Sequence, residues 1–208
     1  MSDPVSRNPP APETWLGTWR LDRLIHVGKH ACVYRAVSAD GTVGALKCLR
    51  SPAIGSRTAA ERFAREIAAL KGLTHPAIPK LLDQGIADDR LAWFVTPWFV
   101  GWDLETHRQR LGGSLPIAEV FETGIRVLEA LAHAHSAGFV HRDVKPANLF
   151  LTETGEFKIL DFGLCRGLAA ACGFGITGNV VIGTRGFMAP EQAQPTRGHA
   201  DFRSDIWS

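Results

Sequence analysis

Side chains able to move a proton and hold a cation are concentrated in two short strings, HRDVKPAN at residues 141–148 and DFG at residues 161–163. Asn148 and Asp161 offer the hard oxygen atoms that Mg²⁺ takes when phosphates supply its other ligands. Asp143 is then available to accept a proton, and Lys145 to neutralise a phosphoryl oxygen. The residue types therefore indicate phosphoryl chemistry.

The segments between these strings must bring them together. The segments 149–151 and 157–160 are mainly apolar, and Thr154 with Gly155 supplies a turn between them. The pattern predicts a β-hairpin, which would bring the carboxylates and the amide of both strings to one end.

The first string resembles the catalytic loop of the protein kinases, and DFG follows at the spacing of that family. The Lys-Pro pair after Asp143 resembles the serine/threonine branch rather than the tyrosine branch. Two more strings stand in kinase order: A-x-K at 45–47, and GTRGFMAPE at 183–191, where Phe187 replaces a Tyr. The resemblance runs from about Trp15 to Ser208 and looks closest to the bacterial Hanks-type kinases. HRD alone would be a weak signal, whereas four pieces in order are specific.

The resemblance implies an α+β fold in two lobes, an antiparallel β-sheet with one helix followed by a mainly α-helical lobe that is cut short. We predict a disordered lead-in at 1–14, an N-lobe at 15–96, a hinge at 97–103 and a partial C-lobe at 104–208. Strands are predicted at 19–27, 32–38, 42–50, 80–85 and 91–96. Helices are predicted from a capping box at 58–61 to Gly72, over 104–111, and over 114–137.

Helical spacing in the long segment 114–137 predicts a buried apolar face. Its members are Ile117, Val120, Phe121, Val127, Leu128, Leu131 and Ala134. His133 and His135 on the same helix are predicted to be ordinary surface or boundary residues, because a spacing of two places them on different faces.

The overall composition bounds the class of protein. The 208 residues carry a net charge of +2, with 45% hydrophobic and 21% charged residues, which is typical of a soluble globular protein and favours no nucleic-acid partner. No apolar run reaches the ~18 residues of a membrane helix. The four cysteines form no C-x-x-C pair and follow no secretory signal, so they are expected to be reduced thiols. We expect a cytoplasmic location and no membrane contact in this segment.

The resemblance implies that the N-lobe binds the phosphates of ATP. The three glycines of the family's phosphate loop align with His26, Gly28 and Ala31, so only the middle one is present. Lys47 would hold the α- and β-phosphates, oriented by Glu66, since a carboxylate on an apolar helix stripe is costly unless paired. The alternatives are a solvent-facing Lys47 and a Glu66 that reaches water at the stripe edge.

The adenine site is also implied by the resemblance. Its proposed members are Ile25, Val33, Ala45 and Phe150 around the ring, with the Pro97 carbonyl and the Phe99 N–H as hinge partners. Thr96 takes the gatekeeper position. Asp103 either meets the ribose or peptide substrate, or caps the helix that follows, and the sequence does not separate these roles.

For the reaction itself, the resemblance implies transfer of the ATP γ-phosphoryl group to serine or threonine hydroxyls of a protein. Asp143 would orient and deprotonate the hydroxyl, Lys145 would stabilise the phosphoryl group, and Asn148 and Asp161 would hold Mg²⁺. Thr184 would bond Asp143 and Lys145. Autophosphorylation in a dimer is a further expectation.

Two other functions stay open at this point. A pseudokinase, a binding module without catalysis, is favoured by His26 and Ala31 in the phosphate loop. A small-molecule kinase resembling the aminoglycoside phosphotransferases shares the H-x-D-x-x-x-x-N pattern, but that class lacks the GT and APE strings present here.

The residues 205–208 match the opening of the large helix at the centre of the family's second lobe, where Asp205 would accept hydrogen bonds from the backbone of 141–142. We therefore expect the sequence to be a kinase fragment. Expressed alone, these 208 residues should be poorly soluble or molten and inactive, because a short terminal helix is unstable and the long helix loses its cover. A sharp cooperative melt with ATP-dependent phosphorylation by this chain would contradict that expectation.

A regulatory phosphosite is predicted at Thr177. Arg142 precedes the catalytic Asp, and a guanidinium at this position can form bidentate bonds with a phosphorylated side chain. Between Asp161 and Glu191 the only hydroxyl side chains are those of Thr177 and Thr184, and Thr184 is assigned to the catalytic loop. Mass spectrometry of the active protein should show phosphate on Thr177, and a Thr177 that is always unmodified would refute the assignment.

Overall fold

The computed structural model describes residues 9–28, 30–49, 56–87, 91–162, 166–167, 184, 186–194 and 200–208. Gly163, Cys165, Cys172, Thr177 and Gly183 lie outside the described residues. The chain forms two compact units, one of Met1–Ile67 with Lys80–Phe99 and the other of Ala68–Pro79 with Val100–Ser208. The lobe and hinge boundaries expected from the sequence stay predictions.

The first unit contains an antiparallel sheet of six strands in the order β1-β2-β3-β4-β6-β5. The strands are β1 (Trp15–Leu16), β2 (Trp19–Val27), β3 (Ala31–Ser38), β4 (Val43–Leu49), β5 (Asp83–Ala87) and β6 (Leu91–Pro97). The prediction for β5 was three residues too early: a turn closed by the Ile78 N–H and the His75 carbonyl precedes it, and pairing begins where the Leu82 N–H donates to Val95.

Alternation along the central strands separates two faces of this sheet. Cys32, Tyr34 and Ala36 of β3 are fully buried in an apolar cluster with Leu46 and Cys48 of β4. Cys32 and Cys48 are directly opposed and both are thiols. Burial, together with the neighbouring Cys32, raises the pKa of the Cys48 thiol to about 12, so the thiolate form that reacts is scarce at neutral pH.

The segment before β1 is ordered where the structure describes it. The buried Tyr34 hydroxyl donates to the Pro10 carbonyl at 2.7 Å, and backbone hydrogen bonds join Glu13 and Thr14 to Leu21. A buried phenol needs such an acceptor. The expectation of a disordered lead-in is therefore wrong for residues 9–14, while residues 1–8 lie outside the description.

Helix α1 (Arg57–Gly72) starts one residue before the expected capping box. The Ser56 hydroxyl, not that of Thr58, accepts a hydrogen bond from the helix, from the Ala59 N–H at 3.4 Å. The prediction of a box at 58–61 was wrong, because Thr58 already lies inside the first turn.

Where the structure describes it, the second unit contains the C-terminal end of α1, four further helices and short strands. The helices are α2 (Leu104–Arg110), α3 (Ile117–Ser136), α4 (Pro190–Ala193) and α5 (Phe202–Trp207), with a 3₁₀ turn at Pro146–Asn148. The strands are β7 (Gly101–Asp103), β8 (Phe139–Val140), β9 (Leu149–Thr152), β10 (Phe157–Ile159) and β11 (Arg166–Gly167), which pair as β10-β9-β7 and β11-β8. The predicted hairpin is confirmed as β9–β10, with Gly155 at positive φ in its turn.

Among the described residues, no helix has the length and apolarity to cross a membrane.

Helix α3 is apolar on more of its surface than its neighbours cover. Val127, Leu131 and Ala134 are buried as expected. The other four positions are 46% to 71% exposed, so the prediction of core packing was wrong for Ile117, Val120, Phe121 and Leu128. Within the described part of the chain, only the inward half of the predicted face has a packing partner.

Gly44 in β4 tests the packing of the sheet. A Cβ atom there would overlap the Val95 side chain and lie 2.9 Å from Trp19 Cζ3. Gly44→Ala should therefore destabilise the protein by about 1–3 kcal/mol through overpacking. Gly124→Ala is the control, because Gly124 lies in α3 with open space at the position of a Cβ atom. This variant should be more stable than wild type by about 0.5–1 kcal/mol. Equal urea midpoints for the two variants would contradict this packing argument.

Candidate active site

The predicted catalytic loop at 141–148 is anchored by one buried carboxylate, that of Asp205 in α5. Its two oxygens accept the His141 N–H at 2.8 Å and the Arg142 N–H at 2.6 Å, as expected from the sequence. Nε2 of His135 lies 2.7 Å from the same carboxylate. His135 is half-buried, which agrees with the predicted boundary position. Its support of the loop through Asp205 was not predicted.

His141 joins the loop to the segment that carries Asp161. Its Nδ1 accepts the Asp143 N–H at 3.3 Å, and its Nε2 lies 3.1 Å from the Leu160 carbonyl. Because a carbonyl only accepts, this geometry makes Nε2 the donor and Nδ1 the acceptor. The same ring packs against the Phe162 ring in a T-shaped arrangement, with centroids 4.8 Å apart.

Asn148 fixes the other end of that junction. Its backbone carbonyl accepts the Leu160 N–H at 2.8 Å. Because His141 bonds the Leu160 carbonyl, both backbone polar groups of Leu160 are hydrogen-bonded to the catalytic loop. The Asn148 side-chain NH₂ donates to the Asp143 carbonyl at 2.7 Å and to its Oδ2 at 3.1 Å. Asn148 thus lies beside Asp143 and is hydrogen-bonded to Leu160, the residue that precedes DFG. The hairpin brings the two strings together, as predicted. Asp161 itself is solvent-exposed and has φ of 62°.

Donors surround the Asp143 carboxylate. Oδ1 accepts the Thr184 N–H at 3.0 Å and its hydroxyl at 2.8 Å, and Oδ2 lies 2.8 Å from Lys145 Nζ. Lys145 Nζ also donates to the Thr184 hydroxyl oxygen at 2.7 Å. The predicted contacts of Thr184 are confirmed. They leave the carboxylate one orientation.

Gln192 is a member of this site that the sequence did not reveal. It follows APE directly and is buried, with 6% of its surface exposed. Its Nε2 donates to the Arg142 carbonyl at 2.8 Å, and its Oε1 accepts the Ala189 N–H at 3.0 Å. The available signal was a lone amide one residue after a known string, which is too common to indicate a role.

In the first unit, Lys47 and Glu66 form the predicted ion pair, with Nζ 2.7 and 2.8 Å from the two carboxylate oxygens. Glu66 is buried at 5% exposure, so the alternative of a carboxylate reaching water is excluded. Lys47 is directly opposite Val33, and Ala45 is opposite Thr96, on the sheet face that lies away from the cysteine pair. The structure therefore brings Val33, Ala45 and Lys47, all predicted site residues, to one face of the sheet.

The loop predicted to bind phosphate, called the phosphate loop below, closes with a hydrogen bond from the Gly28 N–H to the Ala31 carbonyl, 2.9 Å long. His26 is paired with Val33, and thus lies in one cross-strand row with Val33 and Lys47. Ile25 has no partner in β3, since the register shifts between Leu24 and His26. A Cβ on Gly28 would lie 3.5 Å from His26 Nε2, so the histidine ring lies against the loop.

Each of the remaining predicted residues is described within its own unit. Pro97 ends β6, Phe99 follows it, and Phe150 lies in β9 of the second unit. Asp103 accepts the Thr106 N–H at 2.9 Å and its hydroxyl at 2.7 Å. This geometry supports the capping role of Asp103, and its contact with substrate stays a prediction.

Comparison with known proteins decides the family. The family described as "Protein kinase domain" matches residues 19–208. The chain belongs to the protein kinase family. A probable serine/threonine-protein kinase of Streptomyces coelicolor is 36% identical over 92% of this chain, and the serine/threonine-protein kinases PknA and PknL of Mycobacterium tuberculosis are 37% and 39% identical over 94% and 87% of it.

These matches cover 29%, 45% and 44% of the three relatives, so this kinase chain spans less than half of their length. The relatives are bacterial and are named serine/threonine kinases, which confirms the family resemblance and the fold class. Neither a pseudokinase nor a small-molecule kinase is favoured by these names.

Replacing Asp205 tests the anchor of the catalytic loop. Asn at this position offers one acceptor and one donor to two N–H groups, so one buried donor loses its partner, which costs about 1–3 kcal/mol or more. Asp205→Asn in the full-length protein should lower its stability by at least that amount and weaken phosphate transfer. The control is Asp201→Asn, because Asp201 caps α5 and Asn caps as well as Asp. Similar urea midpoints for the two variants would contradict the anchor.

The phosphate loop gives a second prediction. His26→Gly should tighten ATP binding, by about 1 kcal/mol on the scale of a strained backbone position, because Gly lets the backbone approach phosphate. Calorimetry on the full-length protein measures the change. Unchanged or weaker binding would mean that His26 already fits and itself contacts phosphate.

Proposed function

We propose that the protein is an ATP-dependent serine/threonine protein kinase. The observation that carries this proposal is the group of donors on the Asp143 carboxylate, in which Thr184, Lys145 and Asn148 all lie within 3.1 Å of its oxygens. A carboxylate so held is oriented for an incoming hydroxyl group, and positioning is most of what phosphoryl transfer requires from a protein.

Asp143 acts on the acceptor. Its carboxylate receives the hydrogen bond of a serine or threonine hydroxyl, orients the oxygen toward the phosphoryl group and takes the proton as the new bond forms. The Thr184 contacts fix Oδ1, and the Asn148 amide fixes Oδ2. Since Asp143 is only 9% exposed, little water competes for it.

Lys145 supplies positive charge next to Asp143. Its ammonium group is held by Asp143 Oδ2 and the Thr184 hydroxyl, at 2.8 and 2.7 Å. A charge fixed in advance stabilises a phosphoryl oxygen without reorganisation during the reaction. Lys145 is thus the residue that neutralises the transferred group.

ATP, which the family generally uses with Mg²⁺, supplies the phosphoryl group. Asn148 is suited to be a metal ligand, because its NH₂ group donates to Asp143 and, among the described residues, no hydrogen bond occupies its amide oxygen. The Asp161 side chain is exposed, and the preceding residue, Leu160, donates its backbone N–H to the Asn148 carbonyl. No cluster of three His, Cys, Asp or Glu in the described part could hold a metal unaided, and two protein oxygens suit Mg²⁺ completed by phosphates. Lys47, held by Glu66, would bind the α- and β-phosphates.

The finer parts of the proposal concern the nucleotide base and the biological setting. Ile25, Val33, Ala45 and Phe150 would surround adenine, and Pro97 and Phe99 would bond it. The substrate is a protein with accessible serine or threonine. Autophosphorylation in a dimer and a cytoplasmic location complete the proposal.

Asp143→Asn tests the proposed catalytic role. The variant keeps the side-chain shape but loses the proton acceptor, so transfer should fall to background while ATP binding is retained. The full-length protein is assayed with labelled ATP and a protein acceptor, and binding is measured by calorimetry. Asp40→Asn, in the exposed turn after β3, is the matched control and should keep full activity. Unchanged turnover in Asp143→Asn would sink the proposed enzyme activity.

Lys47→Met and Asp161→Ala test the nucleotide and metal roles. Both should abolish transfer, and both should weaken binding of ATP with Mg²⁺, in contrast to Asp143→Asn. Chelation of divalent cations should stop the wild-type reaction. Transfer that persists in chelator would refute the roles given to Asn148 and Asp161.

A further inference from the structure

The peptide group between Arg142 and Asp143 is held at both of its polar atoms. Its carbonyl oxygen accepts from Gln192 Nε2 at 2.8 Å, and its N–H donates to His141 Nδ1 at 3.3 Å. The preceding N–H, that of Arg142, is bonded to Asp205. The backbone that delivers the Asp143 side chain is therefore fixed by three side chains.

This restraint has a physical reason. Arg142 has φ of 68°, a left-handed conformation that non-glycine residues rarely adopt and that persists only where surroundings enforce it. Rotation of this peptide group toward an ordinary conformation would carry the Asp143 carboxylate away from Thr184 and Lys145. The contact at the carbonyl oxygen opposes that rotation.

Gln192 has the chemistry that this position requires. One end of its amide donates to the Arg142 carbonyl and the other accepts the Ala189 N–H at 3.0 Å. The side chain is 6% exposed, so water offers little replacement for either bond. Gln194, two residues later, is solvent-exposed, so it offers a control with the same side chain on the protein surface.

We propose that Gln192 is a positioning residue for catalysis, which rests on the proposed kinase function. It ties the backbone of Asp143 to the start of α4, whereas Thr184 holds the Asp143 carboxylate from the same stretch of chain. A displacement of Ala189–Gln192 would thus reach the catalytic carboxylate through its backbone. Gln192 acts through Asp143 and does not touch the reacting groups.

Two variants of the full-length protein test this role. Gln192→Met keeps the volume and removes both bonds, so kcat should fall by between about 10- and 100-fold, the effect of a small misplacement, with the KM for ATP unchanged. Gln194→Met should retain wild-type kcat. A Gln192→Met enzyme with wild-type kcat would overturn the proposal.

Gln192→Glu adds a pH readout that a purely structural role would not give. The ionised carboxylate cannot donate to the Arg142 carbonyl, whereas the protonated acid restores one donor and one acceptor. Burial favours the protonated form, so the activity of this variant relative to wild type should rise as pH falls from 8.5 to ~5.5. A ratio that stays flat with pH would contradict the proposed hydrogen bond, and a rising ratio supports it even if the Met variant folds poorly.

Amide hydrogen exchange separates this inference from the kinase proposal. Exchange in a peptide covering 141–148 should be faster in Gln192→Met than in wild type and unchanged in Gln194→Met. If wild type transfers no phosphate, the proposed function fails, and exchange still decides whether Gln192 restrains the loop. Equal exchange in all three proteins would overturn the restraint.

Discussion

The hydrogen bonds from the His141 and Arg142 amides to the buried Asp205 carboxylate are the interaction on which the rest of the site depends. They hold Arg142 in a left-handed conformation that it would not keep by itself. That conformation sets the direction in which Asp143 leaves the backbone. Because the carboxylate is buried, removing it would leave two amides without partners, so anchor and loop depend on each other.

From this anchor the site is built by short, mutually dependent contacts. His141 uses one ring nitrogen for the Asp143 amide and the other for the Leu160 carbonyl, which ties the catalytic loop to the segment before DFG. Asn148 makes a second link to the same segment, because its backbone carbonyl accepts the Leu160 N–H. Thr184 then fixes the Asp143 carboxylate. Such preorganisation suits a reaction in which positioning and charge supply most of the acceleration.

The sequence predicted those parts in which residue type alone limits the partners. A carboxylate on the apolar stripe of α1 had to be paired, and Glu66 is bonded to Lys47. The turn at 154–155 fixed the β9–β10 hairpin. Helix ends and half-exposed faces were harder. Ser56 and Thr58 are equally good caps, and Ile117 shows the period of a core residue although it is 71% exposed. Gln192 was missed because its contact with the Arg142 carbonyl spans fifty positions of sequence, and no local pattern encodes that contact.

The identity of the phosphate acceptor tests the central claim most directly. The full-length protein would be supplied with γ-labelled ATP, Mg²⁺ and a protein that offers serine, threonine and tyrosine, and the labelled protein would be hydrolysed to its phosphoamino acids. The bond between Lys145 and Thr184, beside Asp143, predicts label on serine or threonine. Label on tyrosine alone, on a small-molecule alcohol alone, or on no acceptor would contradict the account.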